Sequence, residues 1–367
     1  MDLLELKKQS NNDIMQKKFN SEEAEYHQSI NSPRDLKKEL KASSEELTFI
    51  STARKEITGI LDGTDNRLLL IVGPCSIHDV HSAKEYAFRL RQLNKIVADS
   101  ILIVMRTHFE KPRTALGWKG MIYDPFLNES HDIVAGVRQA RSLLLELAKM
   151  NVPAATEFLD PITPRFIGDL ISWGCIGART VESQIHRQLA SGLNMPVGFK
   201  NSTSGNIEVA IQGVLFAKSP HTFFGMDEDG RLSIARTAGN PHAHIVLRGG
   251  GLKPNYDQIS IALALDQLRL AKLPHRLLID CAHDNSFRRS AEQKNVFQTV
   301  LEQYIQGNKS IRGMIIESHL FEGRQNMTDN PTALKYAISL TDPCLDWNST
   351  EQLILSAHAL LQQPSMR

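Results

Sequence analysis

From Leu68 onward the chain alternates short, wholly apolar runs with longer stretches in which apolar residues recur every three or four positions. The short runs are rich in β-branched residues and end at Gly, Pro or a charged group, which predicts buried strands. They are LLLIVG (68–73), ILIVMR (101–106), VPAATEF (152–158), CIGAR (175–179), PVGFK (196–200), HIVLR (244–248), RLLIDCAH (276–283) and RGMIIES (312–318). Helix signals lie between them. Ser82 to Glu85 reads as a capping box, Thr163-Pro164 as a cap with Pro at the first helical position, and Ser191-Gly192 as a helix end. Each strand–helix pair takes roughly thirty to forty residues, the size of a βαβ unit. Eight pairs predict an α/β fold, a (β/α)8 TIM barrel over residues 68–367, with a helix from Glu351 to Leu361 closing it. A doubly wound open sheet is the alternative. HTFFGMDEDGRLSIARTAG (221–239) breaks the alternation and reads as an inserted β-hairpin around an Asp-Gly turn, outside the barrel. Residues 1–67 are polar, with Lys/Glu-rich helical patches, and read as an N-terminal extension making regulatory or oligomer contacts.

Composition narrows the function. The 367 residues carry a formal net charge of +1, so no global attraction to nucleic acid or to an anionic membrane is expected. The charged N-terminus lacks the apolar centre of a signal peptide, and no stretch stays apolar long enough to span a bilayer. A cytoplasmic protein is expected, its four cysteines remaining thiols available for packing or metal.

Barrels of this kind place chemistry at the C-terminal ends of their strands. Here those ends offer Cys75, Arg106, Glu157, Arg179, Lys200, Arg248, His283 and Glu317, and the loop FEKPRT adds Lys111 and Arg113. So many cations around one mouth predict a strongly positive cavity for a small, multiply anionic substrate such as a phosphorylated carboxylic acid. No GxxxxGK[ST] is present, and RGGG (248–251) lacks the spacing of a dinucleotide fingerprint. If Cys75, His283 and Glu317 meet, they present sulfur, imidazole and carboxylate to one divalent cation, with His78 a competing imidazole. Cys175 and Cys281 lie inside strand runs and read as packing residues, and Asp342 in TDPCLDW reads by itself as a turn or cap residue.

GPCSIHD, MRTHFEKPRTALGWKG, IGARTVESQIHRQLASGL, PVGFKN, HIVLRGG and IESHLFEG, in this order from about Leu68 to Trp347, resemble the microbial type I 3-deoxy-D-arabino-heptulosonate 7-phosphate (DAHP) synthases. That resemblance implies a (β/α)8 barrel and a metal-dependent transferase of the shikimate pathway. Such an enzyme condenses phosphoenolpyruvate with D-erythrose 4-phosphate and water, releasing phosphate. It further implies metal ligands Cys75, His283, Glu317 and Asp342, and one divalent ion that is Mn, Fe, Co or Zn. Arg106, Lys111, Arg179, Lys200 and Arg248 would form a phosphoenolpyruvate cradle with Glu157 nearby. Arg113 and Thr114 would hold the sugar phosphate, and Lys111, Lys200 and His283 are the expected catalytic groups. An aromatic amino acid often inhibits such enzymes near the hairpin and the arm. Pro164, Leu189, Leu193, Phe223 and Gly225 match those positions, and Gly225 favours tyrosine over phenylalanine as effector. A homotetramer or homodimer is implied as well.

Three departures from the family pattern carry expectations. Thr156 replaces a usual Gly and is expected to tighten the approach to the phosphate. Asp284 replaces a small residue and adds a carboxylate beside His283 that would retune metal choice, while RGGGLKPNY carries an extra residue beyond Arg248. Lys200 has a second reading as a Schiff-base lysine, its pKa depressed by flanking guanidinium groups. Other activities remain open: the related 3-deoxy-octulosonate 8-phosphate synthase, or an inactive paralogue binding phosphate metabolites or an aromatic effector.

Overall fold

Eight parallel strands close on themselves: β1 (Leu68–Gly73), β2 (Ile101–Arg106), β3 (Ala154–Glu157), β4 (Trp173–Ile176), β5 (Val197–Lys200), β8 (His244–Leu247), β9 (Leu277–Asp280) and β10 (Ile311–Glu317). Their order around the barrel is β1-β10-β9-β8-β5-β4-β3-β2. Between β5 and β8, β6 (His221–Met226) and β7 (Leu232–Thr237) form a separate antiparallel hairpin, as the sequence predicts. The computed structural model describes residues 27–328 and 330–363, so much of the N-terminal arm lies outside the described residues.

Every barrel strand is buried along nearly its whole length, so burial alone does not separate its two faces. Packing does. Leu68, Leu70, Val72, Ile101, Ile103 and Met105 join the large core between strands and helices, whereas Leu69, Ile71, Leu102, Val104, Ala155, Trp173, Cys175, Val246, Leu278 and Ile315 form a second cluster inside the barrel. Strand side chains alternate with period two. The inward residues therefore lead, two positions on, to Arg106 after Val104, Glu157 after Ala155, Arg248 after Val246, Asp280 after Leu278 and Glu317 after Ile315. The register that fills the interior with Val, Leu and Ile thus delivers a functional group to the mouth.

Helix Ser44–Asp62 lends Ile57, Ile60 and Leu61 to the inner cluster, so part of the N-terminal segment packs against the inward side chains of the barrel. That helix starts with a capping box, Ser43 and Glu46 each bonding the other's backbone N–H.

Two predicted caps are displaced. Helix Val80–Val97 begins after Asp79, whose carboxylate accepts from the N–H of His81 and Ser82, and Ser82 turns its hydroxyl to the Asp79 carbonyl instead of capping. An ionised Asp at the true N-cap outcompetes a Ser three residues later. Thr163 is the first residue of helix Thr163–Ile167 and gives its hydroxyl to Glu110, leaving that helix with no side-chain cap. Helix Gln184–Gly192 does end at Gly192. The final helix is longer than expected, Trp347–Leu361, and is capped by Asp346.

Candidate active site

The floor of the mouth is a set of paired charges. Arg106 lies on the inner face of β2, its Nη2 2.7 Å from Glu317 Oε1, with the carbonyls of Pro74 and Cys75 accepting its other N–H groups at 3.1 Å. Gly73 permits this approach, since a Cβ there would sit 2.7 Å from the Arg106 carbonyl oxygen. Burial works against the guanidinium charge, but Glu317, with Cys75 and Asp280 behind it, outweighs burial and holds the Arg106 pKa above its ordinary value.

Lys200, at the end of β5, donates to Asp280 Oδ2 at 2.9 Å, and both are buried. Burial lowers the ammonium pKa, yet Asp280 with Cys175 and Glu157 raises it overall. The expectation of a depressed lysine pKa is therefore wrong: the groups facing Lys200, Asp280 first among them, outweigh burial and the Arg106 guanidinium. On the other side, Asp280 is held well below the usual carboxylate range despite burial, because His283 and Lys200 face it.

Arg248 donates through Nη1 to Asp284 Oδ2 at 2.9 Å, while its Nε is buried with no hydrogen-bond partner. Asn201 Oδ1 accepts from the Arg248 backbone N–H, and Asn255 donates to the same oxygen, so the chain is fixed just where the extra loop residue falls. That residue is absorbed in a tight turn in which Gly250 and Lys253 exchange both backbone hydrogen bonds and Leu252 takes φ 61°.

The metal candidates converge incompletely. Cys75 Sγ and carboxylate oxygens of Glu317 and Asp342 all lie within 4.8 Å of one another. His283 sits at the edge of this group, Nε2 3.7 Å from Glu317 Oε1 and Nδ1 2.9 Å from Asp280 Oδ2. Lys111 Nζ is 3.1 Å from both the sulfur and the carbonyl oxygen of Cys75. Burial, then Glu317, pushes the Cys75 thiol up, whereas Asp342 is lowered in spite of burial by His283 and Lys111. One thiol, one imidazole and two carboxylates suit a borderline first-row divalent cation, and the residues fit that group. His78 is not part of it: the ring is buried against His319, edge to face, with centroids 6.0 Å apart.

Farther out, Arg113, Thr114 and Arg179 are exposed. Arg179 Nε donates to Thr114 Oγ1 at 2.9 Å, joining the loop after β2 to the loop after β4, and Arg113 Nε donates to the Trp118 carbonyl. Glu157 lies nearly buried with Oε2 3.8 Å from His108 Nδ1, in space that a side chain at Gly177 would occupy.

Two expectations about the departures fail on geometry. Thr156 points away from the interior and gives its hydroxyl to the Thr107 carbonyl at 2.7 Å, so it ties β3 to the end of β2 instead of narrowing the mouth. Asp284 faces Arg248 and Arg288, not the metal group. Sequence reasoning also passed over Asp280 and His108. For Asp280 the signal was there: period two from Leu278 points it inward, but reading the strand through to His283 hid it.

Of the effector candidates, Leu189 and Leu193 pack partly buried against the main core, Pro164 is half-buried in helix Thr163–Ile167, and Phe223 and Gly225 are half-buried on β6. Ser191 joins helix Gln184–Gly192 to β7 through Thr237. The tip of the hairpin meets helix Pro33–Glu39, where Arg34 pairs with Asp229 and Lys37 with Glu228.

The sequence model of the DAHP synthetase I family matches residues 39–355. The Tyr-sensitive phospho-2-dehydro-3-deoxyheptonate aldolase of Escherichia coli (strain K12) is 45% identical over 331 residues, covering 90% of this chain and 93% of its own. The Trp-sensitive enzyme of the same strain is 48% identical over 307 residues, covering 84% and 88%. Among solved structures, the phospho-2-dehydro-3-deoxyheptonate aldolase from Francisella tularensis SCHU S4 superposes with a TM-score of 0.90 at 40% identity, covering 93% of this chain and 99% of that one.

Proposed function

The chain belongs to the DAHP synthetase I family, and from that premise we propose how its barrel mouth carries the first step of the shikimate pathway. It is an enzyme, a 3-deoxy-7-phosphoheptulonate synthase, condensing phosphoenolpyruvate with D-erythrose 4-phosphate and water to give DAHP and phosphate.

Arg106, Lys111, Lys200 and Arg248 hold the carboxylate and phosphate of phosphoenolpyruvate, with Arg179 at the rim. Arg113 and Thr114 hold the phosphate of the sugar. The observation that carries this assignment is the buried Arg248 Nε, a donor with no partner at a strand end already lined by cations. C3 of phosphoenolpyruvate forms the new bond to the aldehyde carbon; water then adds at C2, and the C2–O bond to phosphate breaks. Lys200 and Arg106, oriented by Asp280 and Glu317, together with Arg248, from which an arriving anion displaces Asp284, stabilise charge on the carboxylate and leaving phosphate. A divalent ion held by Cys75, His283, Glu317 and Asp342 would supply Lewis-acid polarisation of the aldehyde oxygen. Asp280 Oδ2 lies 2.9 Å from Nδ1 of His283. Mn, Fe, Co and Zn all suit the donor set. A phosphate-release assay tests the reading: turnover should need both substrates and disappear with a chelator, and phosphate release without erythrose 4-phosphate would overturn it.

Regulation and assembly belong to the same proposal. Aromatic amino acids act near Pro164, Leu189, Leu193, Phe223 and Gly225, with tyrosine as the favoured effector. Relatives named Tyr-sensitive support this, and relatives named Trp-sensitive make tryptophan its rival. Residues 1–67 serve as the regulatory arm through the contacts of Arg34 and Lys37 with the hairpin. The outer hairpin face exposes Phe224, Leu232 and Ile234, an apolar surface suited to a second copy in a homodimer or homotetramer. Rate measurements with each aromatic amino acid decide the effector, and inhibition by none would refute the regulatory reading. Among the described residues no helix is long and apolar enough to cross a membrane, and the four buried free thiols support a cytoplasmic setting.

A further inference from the structure

Besides the Cys75 group, one other set of metal-competent donors converges among the described residues. His108, Glu157 and Cys175 place an imidazole nitrogen, a carboxylate oxygen and a sulfur within 4.8 Å of one another, and all three residues are buried. His108 is 2% exposed, and its Nδ1 has no hydrogen-bond partner, facing Glu157 Oε2 at 3.8 Å. An ion between these atoms would satisfy the buried nitrogen and the carboxylate facing it together.

The local fold explains why they meet. Cys175 occupies an inward position of β4, and two residues on, Gly177 leaves the space that the Glu157 carboxylate fills. In a tetrahedral zinc-type site, bonds of about 2.0–2.3 Å separate the donor atoms by roughly 3.3–3.6 Å. The observed His108–Glu157 spacing is within a small closure of that value. His108 is ready as a ligand, since burial and then Arg106 and Lys111 push its pKa well below the ordinary value and keep the imidazole neutral.

We propose that His108, Glu157 and Cys175 form a second metal site, separate from the Cys75 group, that takes a borderline-soft divalent cation of the zinc class and leaves a fourth position toward the cup. Binding exchanges the Cys175 thiol proton for the ion, so one sulfur–metal bond forms and one proton passes to solvent. Burial, then Glu157, holds that thiol up at about 12, so the ion must displace the proton and the site is weaker at neutral pH than a preformed thiolate site. Occupancy ties up Glu157 and makes excess cation inhibitory. The proposal does not depend on the assigned roles of Cys75 or Asp342.

The test is metal stoichiometry of the full chain. Equilibrium dialysis against excess Zn2+ should load two ions per chain in the wild type and one in Cys175→Ala and in His108→Leu. In Cys75→Ser, Co2+ should still give a thiolate-to-cobalt charge-transfer band, and adding Cys175→Ala should abolish it. A wild type that saturates at one ion overturns the proposal without any variant. So does a Cys175→Ala chain that still loads two, or a Cys75→Ser chain without the band. Because Cys75→Ser removes the other site, loss of turnover in that variant bears on the proposed function alone.

Discussion

Replacing Asp284 with Ala removes the carboxylate that holds Arg248. The pair is 2.9 Å long, with side chains only 3% and 5% exposed, whereas the second partner of Asp284, Arg288, is 43% exposed. Removing one member of a buried pair leaves an uncompensated charge and costs about 3–5 kcal/mol, while the exposed Arg288 contact adds about 0–1 kcal/mol. For a chain of this size, scaling the known trend gives roughly 1–2 °C of Tm per kcal/mol, so the ligand-free variant should melt roughly 3–12 °C lower. An anion that reaches Arg248 returns the missing partner. The Tm rise produced by saturating phosphoenolpyruvate should therefore be larger in Asp284→Ala than in the wild type. Removal of the competing carboxylate should also lower the KM for phosphoenolpyruvate, by up to about tenfold if ~1.4 kcal/mol of competition is relieved. Thermal melts across a phosphoenolpyruvate titration, together with initial rates, measure all three quantities. Equal Tm values, equal ligand-induced shifts and an unchanged or higher KM would refute the idea that Asp284 occupies the anion's place.

Burial raises the Glu110 carboxyl to about 8, so the folded chain holds a proton there that the unfolded chain loses near 4.5, and stability falls with rising pH across that window by up to about 1.4 kcal/mol per unit. Denaturant melts of Glu110→Gln should show that slope reduced, and a slope equal to the wild type's would contradict the assignment. Lys200 is kept protonated by Asp280, so borohydride with either substrate should leave no adduct; a trapped Lys200 peptide by mass spectrometry would restore the Schiff-base reading. Arg106→Met strands the buried Glu317 and removes a cradle cation, so turnover should drop about 10²–10³-fold with a stability loss of about 3–5 kcal/mol, and a variant with near-normal kcat/KM would exclude Arg106 from the cup.

The strand runs, their parallel order and the inserted hairpin were legible because each depends on local pattern: β-branched runs, helical spacing and an Asp-Gly turn. Strand ends were less so. RLLIDCAH reads as one apolar strand, but pairing stops at Asp280 and the chain turns into His283, whose φ is 56°. A side-chain alternation argument finds Asp280, whereas nothing local shows that Lys200, eighty positions earlier, is its partner. Cys175 illustrates the opposite limit. Its place inside a strand run fits packing, and only the fold sets His108 and Glu157 beside it.

Pairing also changes the electrostatic picture of the cup. A row of strand-end cations reads in sequence as a strongly positive cavity, yet Arg106 faces Glu317, Lys200 faces Asp280 and Arg248 faces Asp284. Unpaired charges buried this deeply would be prohibitively costly, so the fold can keep these cations only with anions beside them. An arriving phosphate or carboxylate then gains little from net charge and must instead satisfy donors already fixed in place, of which the free Nε of Arg248 is one. Selectivity follows from that trade. A monoanion with one acceptor group cannot replace the hydrogen bonds that the carboxylates supply, whereas a substrate carrying both phosphate and carboxylate reaches several donors together. The same reasoning places the salt sensitivity of binding at the exposed rim, with Arg113 and Arg179, and not at the buried pairs.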